Sequence, residues 1–333
     1  MQLAPDDPLD PQIRQFVTAL AAGWARHPDD GTRTLAETRI IAEEVRAPWR
    51  AGGPAMASTR ETLVATPHGN VRLRIHRPMV DPAPQPALIY LHGGGWTIFS
   101  LDTHDRIMRE LAARAGVIVI GVDYALSPEA KFPLALQQIV SVVRQLPQLA
   151  GNFGIEAGCV AIGGDSAGAN LAAATCLFLR DAGEMQRLHA MLLIYGCFTD
   201  ESSAEAMRDF GAPGNLLTGE EMASFWHNYL NRPEDAQLPL AAPMRAHLEG
   251  LPPAFIIGAS CDLLCEQSRA FAARLRAAGV ATQMREYPGA THSFLEAVAV
   301  ADIAGRALAD AAAWLRSWLA RDGLNATMKD PAA

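Results

Sequence analysis

The chain has 333 residues, half of them hydrophobic and 19% charged, with a formal net charge of -8. That size suits one large domain with insertions, able to bury its own core without disulfide staples. The acidic balance excludes an extended nucleic-acid surface, and no apolar run is long enough to cross a bilayer. The opening residues 1–7 carry neither the basic nor the apolar region of a secretory leader. The five cysteines are an odd number, without a Cys-x-x-Cys pair. Both features predict a cytoplasmic protein with reduced thiols.

Residues 1 to about 50 read as helical. Ile13, Phe16, Val17 and Leu20 recur at three-to-four spacing, and residues 35–45 repeat the pattern before Gly52, Gly53 and Pro54 break it. From about residue 60 the period becomes two: Val71, Leu73 and Ile75 alternate with Arg72, Arg74 and His76, as in a half-buried strand. Beyond a turn rich in proline (Pro82, Pro84, Pro86), apolar runs at 88–91, 117–120, 159–162, 191–194 and 255–257 alternate with helical stretches. Such runs predict a mainly parallel sheet covered on both faces, with its functional loops at the strands' carboxyl ends. Between about 200 and 240 the rhythm fails, and residues 202–230 are helical and amphipathic with a break at 211–214. We therefore expect residues 56–199 and 241–322 to form the core. Residues 1–55 and 200–240 would supply a helical cap, and 323–333 a frayed tail.

Gly164-Asp165-Ser166-Ala167-Gly168 stands between an apolar run ending at Ile162 and the helical stretch 170–180. This is the strand–turn–helix setting of a nucleophile elbow. Small residues two before and two after Ser166 relieve a crowded turn, and the helix amino end behind it favours developing negative charge. A glycine-rich turn without catalytic meaning would carry similar residues. His92-Gly93-Gly94-Gly95-Trp96, directly after the run 88–91, changes the balance. Its glycines let backbone N–H groups face a cavity, as the second half of an oxyanion hole requires. The rival reading is a phosphate cradle, but no Gly-Lys-Ser/Thr follows and neither cluster has Gly-x-Gly-x-x-Gly spacing.

A serine nucleophile needs a base and an orienting acid, in the chain order Ser, Asp or Glu, His. Asp262 and His292 each fall just past an expected strand end, with Glu266 as a substitute carboxylate nearby. Either residue could instead be a helix cap or a surface histidine. Asp102 and His104 read as residues that cap and open a helix rather than as metal ligands. Met222 and Trp226 read as packing or pocket lining. Cys261 and Cys265 flank the Asp262 loop, which leaves a redox role there open.

Together these motifs resemble the hormone-sensitive-lipase group (bacterial family IV) of α/β-hydrolase esterases. Residues 102–109 and 124–133 resemble the bacterial acetyl esterase branch in particular, and the likeness spans roughly residues 60–320. It implies an α/β-hydrolase fold: a mostly parallel eight-stranded sheet with helices on both faces and a helical cap. It further implies Ser166 as nucleophile, His292 as general base and then acid, and Asp262 as its orienting partner. The oxyanion donors would be the N–H groups of Gly94, Gly95 and Ala167, within motifs completed by His92, Gly93, Gly164, Asp165 and Gly168. The sequence departs from the family at the acid, where Asp-Pro-Leu is usual and Asp262-Leu263-Leu264 stands here.

The implied activity is hydrolysis of short-chain esters, acetyl to butyryl, through an acyl-enzyme, without cofactor or metal. Since His292 must be neutral to act, activity should decline below about pH 6.5. The partner would be a small ester, with no nucleic acid and no membrane. Rival readings are a lactonase, deacetylase or amidase using the same three residues, or a ligand-binding or regulatory protein on this fold. A homo-oligomer and a regulatory protein partner both stay open.

Overall fold

The computed structural model describes residues 8–320, so the expected tail at 323–333 lies outside the described residues. Two amphipathic helices open it. In α1 (Pro11–Trp24), the Asp10 carboxylate accepts from the Gln12 and Ile13 N–H groups, and proline sits where no N–H is needed. In α2 (Leu35–Arg50), Thr34 and Glu37 form a capping box.

The remainder starts with the hairpin β1 (Ser58–Thr66) and β2 (Gly69–Arg77). There follow β3 (Gln85–Leu91), α3 (Asp105–Ala115), β4 (Ile118–Asp123), α4 (Leu134–Phe153), β5 (Ile155–Asp165), α5 (Ala167–Asp181) and β6 (Ala190–Ile194). The helices α6 (Ala204–Phe210) and α7 (Gly219–Tyr229) then intervene, on either side of the 211–214 break. The chain closes with β7 (Ala254–Cys261), α8 (Cys265–Ala277), β8 (Thr282–Thr291) and α9 (Asp302–Leu319).

The eight strands form one sheet in the order β1-β2-β4-β3-β5-β6-β7-β8. β1 with β2 and β2 with β4 are antiparallel, and all other neighbours run parallel. The continuous apolar runs coincide with β3 to β7 because those strands are buried on both faces. Successive residues serve opposite layers. Ile89 and Leu91 join Ile139 of α4, Leu171 of α5 and Phe271 of α8, whereas Leu88 and Tyr90 join Leu111 of α3 and Leu308 of α9.

None of the five cysteines is in a disulfide, and all are buried. Burial pushes the Cys265 thiol up to about 12, away from a reactive thiolate. Among the described residues no helix is long and apolar enough to cross a membrane.

Candidate active site

Four parallel strands end on the same edge of the sheet, and the residue or loop after each enters one site. β3 releases the glycine loop 92–95, β5 releases Ser166, β7 releases Asp262 and β8 releases His292. Ser166 has φ 53 and ψ -118, a conformation a side chain rarely tolerates. Its N–H donates to the Ile194 carbonyl at 2.9 Å, and its own carbonyl accepts from Asn170 and Cys197. The flanking glycines are steric requirements: a Cβ on Gly164 or on Gly168 would run into the Leu91 carbonyl oxygen.

The structure brings Ser166, His292 and Asp262 into one row. His292 Nε2 lies 3.0 Å from Ser166 Oγ, and Nδ1 lies 2.8 Å from Asp262 Oδ2. A carboxylate only accepts, so Nδ1 carries the hydrogen and Nε2 presents a lone pair to the serine hydroxyl. All three residues are buried. Burial pulls the His292 pKa down, but the Asp262 charge and hydrogen bond outweigh it and leave the pKa above the ordinary 6.5. The other Asp262 oxygen accepts the Leu264 N–H at 3.0 Å, which holds the turn without the usual proline. Glu266, the substitute carboxylate, is engaged elsewhere and accepts the Ser203 N–H at 2.6 Å.

Gly94 and Gly95 line a cavity of about 210 Å³ together with Ser166 and His292. Among the described residues, the N–H groups of Gly94, Gly95 and Ala167 have no protein acceptor. Gly94 has φ +111 and Gly95 φ +57, and a Cβ on Gly95 would strike the Phe225 ring. Ile98, Phe99 and Ser293 also line the cavity, and the helical segments add Val17, Leu20 and Trp24 from α1, Arg46 from α2, and Phe225 from α7, with Leu216 and Leu217 just before it. Trp96 anchors the glycine loop by stacking on Tyr229 at 4.1 Å and meeting Trp226 at 4.8 Å. From the other side, Arg39 of α2 donates to the Thr97 carbonyl at 2.8 Å.

Sequence reasoning missed a buried network under this loop. Asp165 Oδ1 accepts from the Tyr90 hydroxyl at 2.7 Å and from the Gly93 N–H at 3.0 Å, and Oδ2 lies 3.3 Å from His104 Nε2. His104 does occupy the N-cap position of α3, but its side chain makes no capping bond there. Nor does Asp102 cap; it pairs with Arg74. The expected cap is thus corrected: the imidazole is drawn inward because a buried carboxylate needs a donor. Also unforeseen is the buried pair Arg46–Glu296, 3.2 Å apart, joining α2 to the short 3₁₀ helix Phe294–Ala299 just after His292. The one available signal for Arg46 was its place directly after Val45 at the end of the apolar pattern of α2. Among the described residues no cluster of three His, Cys, Asp or Glu is placed to hold a metal.

A sequence profile of the α/β-hydrolase fold matches residues 88–296. The chain belongs to this family. It is 37% identical over 306 residues to the acetyl esterase of Salmonella choleraesuis (strain SC-B67), covering 91% of this chain and 93% of that one. It superposes on the hyperthermophilic esterase of the archaeon Pyrobaculum calidifontis with a TM-score of 0.86 at 31% identity, over 93% of this chain and 98% of the other. A fungal esterase from Rhizomucor miehei gives 0.87 at 30% identity, over 95% and 99%.

Proposed function

We propose that this α/β-hydrolase is a serine esterase cleaving short acyl esters, acetyl to butyryl, with Ser166 as nucleophile. The observation that carries the reading is the Ser166–His292–Asp262 row, with contacts of 3.0 and 2.8 Å, set in the wall of a cavity that Gly94 and Gly95 also line. Ser166 Oγ attacks the ester carbonyl carbon while its proton passes to His292 Nε2. Asp262 stabilises the imidazolium so formed. The oxyanion takes hydrogen bonds from the N–H groups of Gly94, Gly95 and Ala167, each such donor being worth on the order of 10²–10³ in rate. As the tetrahedral intermediate collapses, the leaving alkoxide takes the Nε2 proton, and the acyl group stays on Ser166. Water then gives a proton to Nε2 and attacks the acyl carbon. Collapse expels the carboxylic acid and returns the proton to Ser166.

Short chains are supported by size, since a cavity of about 210 Å³ is smaller than the roughly 300–1,000 Å³ of sites for drug-sized ligands. The test is a series of p-nitrophenyl esters of rising acyl length, assayed with the parent and with Ser166→Ala. Acetate and butyrate esters should turn over fastest, and the variant should lose turnover of all of them. Faster cleavage of a long-chain ester would overturn the chain-length reading, and an active Ser166→Ala would overturn the nucleophile.

A further inference from the structure

His104 is fully enclosed beneath the glycine loop, and each of its ring nitrogens faces an acceptor. Nε2 lies 3.3 Å from Asp165 Oδ2. Nδ1 lies 2.9 Å from Thr103 Oγ1 and 3.4 Å from the Ser100 carbonyl oxygen. The Thr103 hydroxyl accepts the Ser100 N–H at 3.1 Å and lies 2.8 Å from that Ser100 carbonyl oxygen, the shorter of its two contacts able to take its proton. A hydroxyl so engaged offers its neighbour only a lone pair, and a carboxylate oxygen offers nothing else. With the Thr103 proton on the Ser100 carbonyl, both nitrogens face acceptors, and only the imidazolium supplies a hydrogen to each.

We infer that His104 is held as a buried imidazolium whose charge keeps Asp165 an ionised acceptor for Gly93, fixing the glycine loop beside Ser166. Asp165 is the hinge of this arrangement. It directly precedes Ser166 in the chain, and its Oδ1 accepts the N–H of Gly93, the residue before Gly94. His104 is thus a positioning residue, acting on the reacting atoms only through Asp165 and the loop.

The groups around His104 favour this state. Asp165 faces it from β5, and Glu296 lies close enough to raise its pKa electrostatically, though Glu296 is itself paired with Arg46. Tyr90 of β3 lies 6.4 Å away, ring to ring, and donates its hydroxyl to Asp165. Burial opposes the charge, but Asp165 outweighs burial and leaves the His104 pKa raised. His92, with its ring 5.5 Å away, takes the opposite state: burial and the His104 charge bring it down to about 3. Two enclosed imidazoles side by side thus carry one charge between them.

The direct test is ring-nitrogen NMR of the full chain labelled with ¹⁵N-histidine at pH 7.5, where a histidine with the ordinary pKa of about 6.5 is mostly neutral. The His104 signal is assigned by its loss in His104→Gln or, should that variant not fold, by its ring contacts with Phe99 and His92. Two protonated nitrogens are expected, and one bare nitrogen would overturn the inference. The kinetic arm uses p-nitrophenyl acetate. His104→Ala should lower kcat by roughly 10- to 100-fold, less than the full loss of an oxyanion donor, with KM nearly unchanged. His104→Gln, which can still donate to Asp165 but carries no charge, should recover only part of that loss. A folded His104→Gln with the parent kcat would overturn the role of the charge, and a folded His104→Ala with the parent kcat would overturn the positioning role. This arm rests on the proposed ester hydrolysis and the spectroscopic arm does not, so a parent inactive on esters is distinguishable from a neutral His104.

Discussion

Ser166 holds a backbone conformation that costs a residue with a side chain on the order of 1–3 kcal/mol. It persists because its neighbours leave no alternative. Ile194 and Cys197 bond its peptide groups, while the Asn170 amide bridges the Cys197 and Ala241 carbonyls behind it. The return on that strain is a hydroxyl aimed at His292 Nε2. The titration of His292 is then the property that reaches experiment. Its raised pKa means the base is lost at a higher pH than for a free histidine. The proposed mechanism requires neutral His292, so kcat/KM should fall as pH falls through the folded pKa, with the midpoint of the acid limb above 6.5. The sequence alone had suggested 6.5 because it could not weigh Asp262 against burial. Asp262→Asn removes the charge that raises the pKa, so its residual activity should show the limb displaced to lower pH. A parent midpoint at or below 6.5 in a kcat/KM profile from pH 5.5 to 9 would contradict this account.

The elements differ in how plainly they could be read. The strands β3 to β7 were legible because burial on both faces demands unbroken apolar runs. The edge strand β1 was not, since most of its residues are exposed and it follows neither an apolar run nor a clean alternation. The order Ser166, Asp262, His292 was legible because each residue follows a strand. The Asp165–His104 contact spans 61 positions and Arg46–Glu296 spans 250, and such pairs leave no periodic trace. Asp102 to Asp105 suits a local helix start, and that likeness hid the long-range partner of His104. Under the proposed short-chain activity, the length limit falls to α7. Phe225 presses its ring against the space above Gly95, closing the cavity over the glycine loop. Phe225→Ala should therefore open room for a longer acyl chain. A methylene accommodated in an apolar pocket is worth about 1–3 kcal/mol. The ratio of kcat/KM for the hexanoyl ester to that for the acetyl ester should accordingly rise at least about tenfold. An unchanged ratio would place the limiting wall on α1, at Leu20 or Trp24, instead.

At the scale of the whole molecule, the same buried histidines govern how stability depends on pH. His104 and His292 have raised pKa values, so what they contribute is fully present below 6.5 and is lost only as pH climbs through their folded values. Asp165 is lowered, and its contribution is lost only as pH falls below the ordinary 3.8. His92 works differently. Burial, reinforced by the neighbouring His104 charge, brings it down to about 3, so between 6.5 and that value the unfolded chain takes up a proton that the folded chain refuses. Stability must fall with pH across that window, by about 2 kcal/mol from pH 6.5 to 4.5 for this one group. Half-buried His189, also lowered, adds to the slope, whereas Glu296, raised by burial despite Arg46, opposes it. Comparing the parent with His92→Asn removes both of those terms, because they are common to the two proteins. Urea unfolding at pH 6.5 and 4.5 should show the parent losing about 2 kcal/mol more than the variant. Equal losses would mean that His92 takes up its proton in the folded state.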